Sequence, residues 1–274
     1  MLTGLKFSEI ATVLFFSIVP SMILLFFILY SDRKNREPAP LIAIALISGL
    51  FTISLSLMLD KIFLNINFTS SFLSTYNNYN LFKIIILAFI EEFSKWFVLY
   101  VFLSHNSAYD EIYDGFVYSS IISLSFAFVE TLMYVFNESS YQDMTSLAVL
   151  RNLTSVPLHI VCGIIMGYHI SLTRFSKEKK RKAFQLLKAI FIPTFVHSLY
   201  NIFFSLLSYK NVNNETSIII MALFVIGIYI LGTLYTLEIS TLNKMFTHNS
   251  KYEKKYNYLM NQKEFLLRSA NKWN

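Results

Sequence analysis

The chain has 274 residues, of which 55% are hydrophobic, 17% aromatic and only 15% charged; soluble domains carry about 25% charged residues, so this composition describes a membrane protein. The net charge of +6 does not indicate a nucleic-acid binder, because the basic residues lie in loops and in the tail rather than on a folded soluble face. One cysteine, Cys162, lies inside an apolar run, which excludes an intramolecular disulfide or a thiol pair on a metal and leaves it a small core hydrophobe.

Seven apolar segments of membrane-spanning length can be marked, at residues 9–30, 40–59, 81–103, 113–136, 147–172, 184–208 and 217–241, each on the order of 20 residues. The first is too long, and too poor in small residues before its charged loop, for a cleaved signal peptide, and reads as a retained helix. The expected fold is an all-α polytopic membrane protein: a transmembrane domain over residues 1–242, then a Lys-rich tail over 243–274 lying against anionic lipid.

Loop charges give the orientation. Arg33, Lys34 and Arg36 follow the first segment, Arg174, Lys177, Lys179, Lys180, Arg181 and Lys182 follow the fifth, and the tail adds seven more basic residues. All three groups fall on one side of a seven-helix bundle, so the N-terminus is expected outside and the C-terminus in the cytoplasm. The loop near residues 105–114 is cytoplasmic in this scheme although it carries no Lys or Arg.

The third segment, FKIIILAFIEEFSKWFVLYVFL, is apolar apart from Lys83 at its start and Glu91, Glu92 and Lys95 near its middle. Each charge at that depth costs roughly 2.5–3.5 kcal/mol, which makes intramembrane ionisable residues candidates for function. Lys95 is four residues from Glu91 and three from Glu92, so it can reach either carboxylate on one helix face and leave the other available. A single Glu and Lys would suffice as an inert ion pair, and a second Glu would only add cost.

Other polar groups follow at similar depth. Glu130 lies in the fourth segment one turn after Phe126, His159 lies in the fifth after Arg151 and Pro157, and His197 and Asn201 form an HxxxN pair on one face of the sixth. Gly163 and Gly167 read as close helix packing. Counting about 1.5 Å per residue places Glu91, Glu130, His159 and His197 roughly 9–17 Å below the outer surface. They are expected to share one polar cavity in the outer half of the bundle. Glu9, Asp60 and Glu238 fall near helix ends, where side chains can reach the interface, and are left out of the site.

Carboxylates, histidines, a lysine and an asparagine suit hydrolysis by an activated water, with a Glu as general base and with His and Asn as hydrogen-bond donors to the developing oxyanion. Zinc is the alternative chemistry, with Glu91, Glu130, His159 and His197 as ligands, although no HExxH pattern is present. A proton-coupled transporter would also use buried carboxylates, but the chain shows none of the inverted repeats that such folds favour.

The order of these motifs resembles the PrsW family of intramembrane proteases, which is related to the CAAX-processing and bacteriocin-processing membrane endopeptidases. The matching stretches are DRKNREPAPL after the first segment, EEFSK as EExxK, EIYDGFVYSSIISLSFAFVE ending in FxxxE, RNLTSVPLH, and HSLYN as HxxxN. The resemblance covers roughly residues 30–205. It implies a bacterial plasma-membrane enzyme that hydrolyses peptide bonds without an obligatory cofactor. Glu91 would be the base, supported by Glu92 and Lys95; Glu130 and His159 would line the site, and His197 and Asn201 would form the oxyanion side. The implied substrate is a single-pass membrane protein such as an anti-sigma factor, cut first on its extracytoplasmic side. Ser119, Ser123 and Ser125 stand where family members typically carry glycine, and Thr131 where Asn is frequent.

Overall fold

In the computed structural model the described residues are 5–33, 35–64, 81–176, 178–209 and 214–247. Among them the chain forms α1 (Phe7–Ser31), α2 (Ala39–Leu64), α3 (Leu81–Val98, continued by a π-helical turn at Leu99–Leu103), α4 (Ile112–Val135), α5 (Tyr141–Leu153), α6 (Ser155–Phe175), α7 (Lys179–Tyr209) and α8 (Asn214–Thr247). The protein is a multi-pass membrane protein. Every apolar segment expected from the sequence is helical, and α8 continues through the tail boundary expected at residue 243. The tail from residue 248 onward lies outside the described residues.

The fifth segment departs from expectation. It is two helices, broken at Thr154, whose backbone turns to φ −123°, ψ −66°. Pro157 then falls in the first turn of α6, where its missing N–H removes no intrahelical bond. Arg151 and His159 therefore lie on different helices, and α5 is free to turn Arg151 back toward α4.

The core is the pair α4 and α6, buried without interruption over residues 114–127 and 155–173, with α2, α3 and α7 around it. In a bilayer, lipid is as apolar as leucine, so helices associate through close packing and hydrogen bonds rather than apolar burial. Small residues provide the approach. A Cβ added to Gly167 would lie 2.0 Å from the Gly115 carbonyl oxygen and 2.3 Å from Ser119 Oγ, and one added to Gly163 would meet Ser123 Oγ at 2.5 Å. Ser119 and Ser123 are thus the partners of α6 glycines, whereas Ser125 packs on α2, where a Cβ added to Gly49 would lie 2.4 Å from the Ser125 Cβ. The outer faces of α1 and α8 expose Phe15, Phe26, Leu223 and Leu234, as lipid-facing surfaces do.

At the end of the bundle that carries the basic loops, Arg174 donates to the Ser104 and Asn106 carbonyl oxygens and its guanidinium lies over the Tyr109 ring. The loop with no Lys or Arg of its own is therefore held by the arginine at the end of α6. Beside it, Tyr118 donates to Glu37, and Asp32 accepts from the Glu37 backbone N–H, which closes the loop after α1 against α4.

Candidate active site

The polar residues of α3, α4, α6 and α7 form one buried network. Lys95 Nζ donates to Glu92 Oε1 at 2.7 Å and lies 2.8 Å from His159 Nδ1; both Lys95 and Glu92 are fully buried. Glu92 Oε1 also bonds His197 Nδ1 at 2.9 Å. His159 Nε2 bonds Glu130 Oε2 at 2.9 Å, and that oxygen accepts from Arg151 Nη2 at 2.5 Å. Phe126 lies beneath, 4.1 Å from the Lys95 ammonium and 5.4 Å from the His159 ring, so the phenylalanine of FxxxE forms the floor on which the cation and the imidazole rest.

Donor and acceptor roles follow from this pattern. The Lys95 ammonium can only donate, so His159 Nδ1 accepts and its Nε2–H donates to Glu130. The Glu92 carboxylate can only accept, so His197 Nδ1–H donates to it and His197 Nε2 presents its lone pair. That nitrogen faces Glu91 Oε2 at 3.8 Å, beyond hydrogen-bond range yet close enough for both atoms to reach one shared oxygen. Glu91 Oε2, Glu92 Oε2 and Asn201 Nδ2 are buried and make no hydrogen bond with the protein. Buried polar atoms are almost always paired; Glu92 is already held through its other oxygen, so Glu91 Oε2, facing His197 Nε2, and the Asn201 amide, whose residue lines the cavity described below, are the groups placed for a substrate or a reactant.

The seven residues expected at the site are thus brought together. Sequence spacing allowed Lys95 to pair with either glutamate; the fold pairs it with Glu92 and leaves Glu91 open. Ser94 and Ser198, which adjoin the motifs, are buried, and Ser94 donates to its own helix at the Ile90 carbonyl. Cys162 is a buried core residue on the Pro193 carbonyl.

Two residues were missed. Arg151 holds Glu130 through Nη2 and Thr131 through Nε at 3.2 Å; RNLTSVPLH contained it, but a position near a helix end gave no reason to place it on Glu130. Asp60 was set aside as an interfacial residue, yet only 3% of it is exposed, and it lines a cavity with Glu91 and Glu130. Its position near the end of α2 misled, because α3 and α4 cover that end. Glu9 and Glu238 lie apart from the network: Glu9 accepts from the Lys6 backbone at the start of α1, and Glu238 accepts from Tyr168.

A cavity of about 240 Å³ leads to the network between α4, α5, α6 and α7. Its inner wall carries Glu130, His159, His197 and Asn201, and its outer wall includes Leu147, Leu150 and Phe204. An apolar approach ending in hydrogen-bonding groups suits an extended peptide.

A metal is the other possible occupant of the inner wall. Glu91, His159 and His197 offer ligand atoms within 4.8 Å of one another, the two-histidine, one-carboxylate set of many hydrolytic zinc enzymes. The donor types and spacing fit such an ion. Glu130 is not part of the trio, since its Oε2 is shared by Arg151 and His159.

Residues 37–230, more than half of the chain, match the family described as PrsW family intramembrane metalloprotease. Protease PrsW of Clostridioides difficile (strain 630) is 26% identical over 235 residues, covering 86% of this chain and 92% of the relative. Protease PrsW of Oceanobacillus iheyensis is 32% identical over 184 residues, 67% of this chain and 79% of the relative. That of Bacillus subtilis (strain 168) is 28% identical over 196 residues, 70% and 82%. No solved structure matches the chain significantly.

Proposed function

The chain belongs to the PrsW family of intramembrane proteases, and from that premise we propose that it hydrolyses a peptide bond with Glu91 as the base that activates water. The observation that carries this reading is the open carboxylate: Glu92 is committed to Lys95 and His197, while Glu91 Oε2 is buried, unbonded and 3.8 Å from His197 Nε2. A water between Glu91 and His197 gives one proton to Glu91 as its oxygen bonds to the scissile carbonyl carbon. The Asn201 amide donates to the oxyanion that forms. When the C–N bond breaks, Glu91 returns the proton to the departing amine. Here His197 orients the water, because its only N–H in the neutral ring is held by Glu92; the oxyanion donor is Asn201 alone. Lys95 and Glu130 hold His159 in one tautomer.

The substrate that fits is a single-pass membrane protein of the anti-sigma-factor type, cut first on its extracytoplasmic side. The large cavity lies at the bundle end opposite Arg33, Arg36, Arg174 and Lys179, and by the positive-inside rule those residues face the cytoplasm. The N-terminus is then outside and the C-terminus inside. In the test, Glu91→Gln keeps the protein folded and abolishes cleavage of a reconstituted single-pass substrate; normal cleavage by that variant removes Glu91 as the base.

The trio Glu91, His159 and His197 supports a second reading. A zinc ion held there would polarise the carbonyl and lower the pKa of its bound water, and Glu91 would be a ligand. His159 would then exchange its Lys95 contact for the ion. Metal analysis of the purified protein, with cleavage measured before and after chelation, separates the two. The general-base reading expects cleavage to survive chelation; loss of cleavage restored by zinc would make Glu91 a ligand.

A further inference from the structure

Among the described residues three carboxylates at membrane depth have a buried oxygen that makes no hydrogen bond with the protein, Asp60 Oδ1, Glu91 Oε2 and Glu92 Oε2; Glu92 is held through its other oxygen by Lys95 and His197, which leaves Asp60 and Glu91, each 3% exposed. They do not lie apart. Asp60 of α2, Glu91 of α3 and Glu130 of α4 line one cavity of about 10 Å³ together with Ser56, Phe126, Met133 and Tyr134, and the three carboxyl groups are within electrostatic reach of one another. Of the three, only Glu130 has a cation, Arg151. Leaving a buried carboxylate oxygen unbonded costs more than an ordinary hydrogen bond contributes, so a fold that retains two such oxygens at one place has a use for them.

The cavity has the dimensions of a single water. A buried water needs roughly 10–15 Å³ and two to four polar partners, and Asp60, Glu91 and Ser56 supply polar groups around this volume. The cavity adjoins the larger one of about 240 Å³, since Glu130 and Tyr134 line both, whereas Glu91 lines only the small one.

Resting on the general-base reading above, we propose that Asp60 is a positioning residue that holds the Glu91 carboxylate through a buried water in the small cavity, a water separate from the reacting one that Glu91 shares with His197. The buried water donates one O–H to Asp60 and one to Glu91. Asp60 does not touch the substrate. It fixes the direction in which Glu91 faces the reacting water, and Glu91 remains the group that takes the proton. A carboxylate on the second transmembrane helix thereby joins a site otherwise built from α3, α4, α6 and α7.

Two measurements test this. In the first, kcat and KM for a reconstituted single-pass substrate are compared among wild type, Asp60→Asn, Asp60→Leu and the control Glu91→Gln. Asp60→Leu is expected to lower kcat about 10- to 100-fold, the range for residues that orient a reacting group, with KM unchanged. Asp60→Asn, which still offers a carbonyl oxygen, is expected to recover part of that loss. An Asp60→Leu enzyme with unchanged kcat, or one whose KM alone rises, overturns the proposal. In the second, X-ray radiolytic labelling in ¹⁸O-water reads bound water at Met133, independently of activity. Wild type is expected to label there and Asp60→Leu to lose the label; equal labelling of the two overturns the water site. Wild-type protein that cleaves no substrate but labels at Met133 overturns the proteolytic reading and leaves the water site standing.

Discussion

The ammonium of Lys95 lies 2.8 Å from Nδ1 of His159, 64 residues away in the chain. This contact ties the helix of the paired glutamates to the helix of the histidine and fixes the imidazole tautomer. The same ammonium pairs with the fully buried Glu92 at 2.7 Å.

Removing that charge should therefore cost stability as well as activity. Breaking one partner of a buried pair typically costs about 3–5 kcal/mol, because the other charge is left alone. Lys95→Met is expected to lower the thermal midpoint sharply. The double variant Lys95→Met with Glu92→Gln should regain much of the loss and still fail to cleave substrate, since His159 and His197 each lose a partner. Unfolding curves in detergent and a cleavage assay on the same preparations check both halves.

Arg151 should matter for rate more than for folding. It reaches across from α5 to Glu130, which in turn holds His159 Nε2. Arg151→Gln is expected to reduce kcat by about 10- to 100-fold, as loss of an outer partner typically does. Arg151→Lys should recover only part, because one ammonium cannot serve Glu130 and Thr131 together with the geometry of a guanidinium. Steady-state kinetics against thermal midpoints distinguish this from simple destabilisation.

The contact between α4 and α6 admits no side chain at Gly167. An added Cβ would meet the Gly115 carbonyl, a backbone atom that cannot rotate away. Gly167→Ala is expected to destabilise by about 1–3 kcal/mol, the usual penalty of overpacking. The same change at Gly227, where an added Cβ meets nothing within 4 Å, should be neutral. Thermal midpoints of the two variants give the comparison.

Asp32, just beyond the end of α1, supplies a pH dependence. Burial, opposed by the Glu37 backbone N–H and reinforced by the Glu37 and Glu111 charges, pushes its carboxyl up to about 6 from an ordinary value of 3.8. A folded-state value above the unfolded one means that this group favours the folded state below about pH 4, and that the contribution fades as pH rises through about 6. Asp32→Asn retains an acceptor for the Glu37 N–H and removes the ionisation. It should raise the thermal midpoint at pH 7.5 and leave it unchanged at pH 4. An equal shift at both values would mean that the charge of Asp32 is immaterial.

The sequence by itself determined the membrane class, the helical segments and the residue types of the site, because apolar length and the cost of buried charge are local properties. Glu91, Glu92 and Lys95 were visible as an expense that packing could not explain, depth counting brought Glu130, His159 and His197 to the same layer, and helical spacing put Asn201 on the face of His197. Spacing on one helix could not decide which glutamate Lys95 would take; His197 and His159, arriving from α7 and α6, decided it for Glu92. Nor could it reveal the break at Thr154 that swings Arg151 onto Glu130. Asp60 shows the same limit most clearly: four residues from the end of its helix, it would meet water on a lone helix, and only α3 and α4 packed over that end make it a buried carboxylate facing Glu91. Which polar atoms remain without a partner depends on neighbours distant in the chain, and tertiary packing alone sets those.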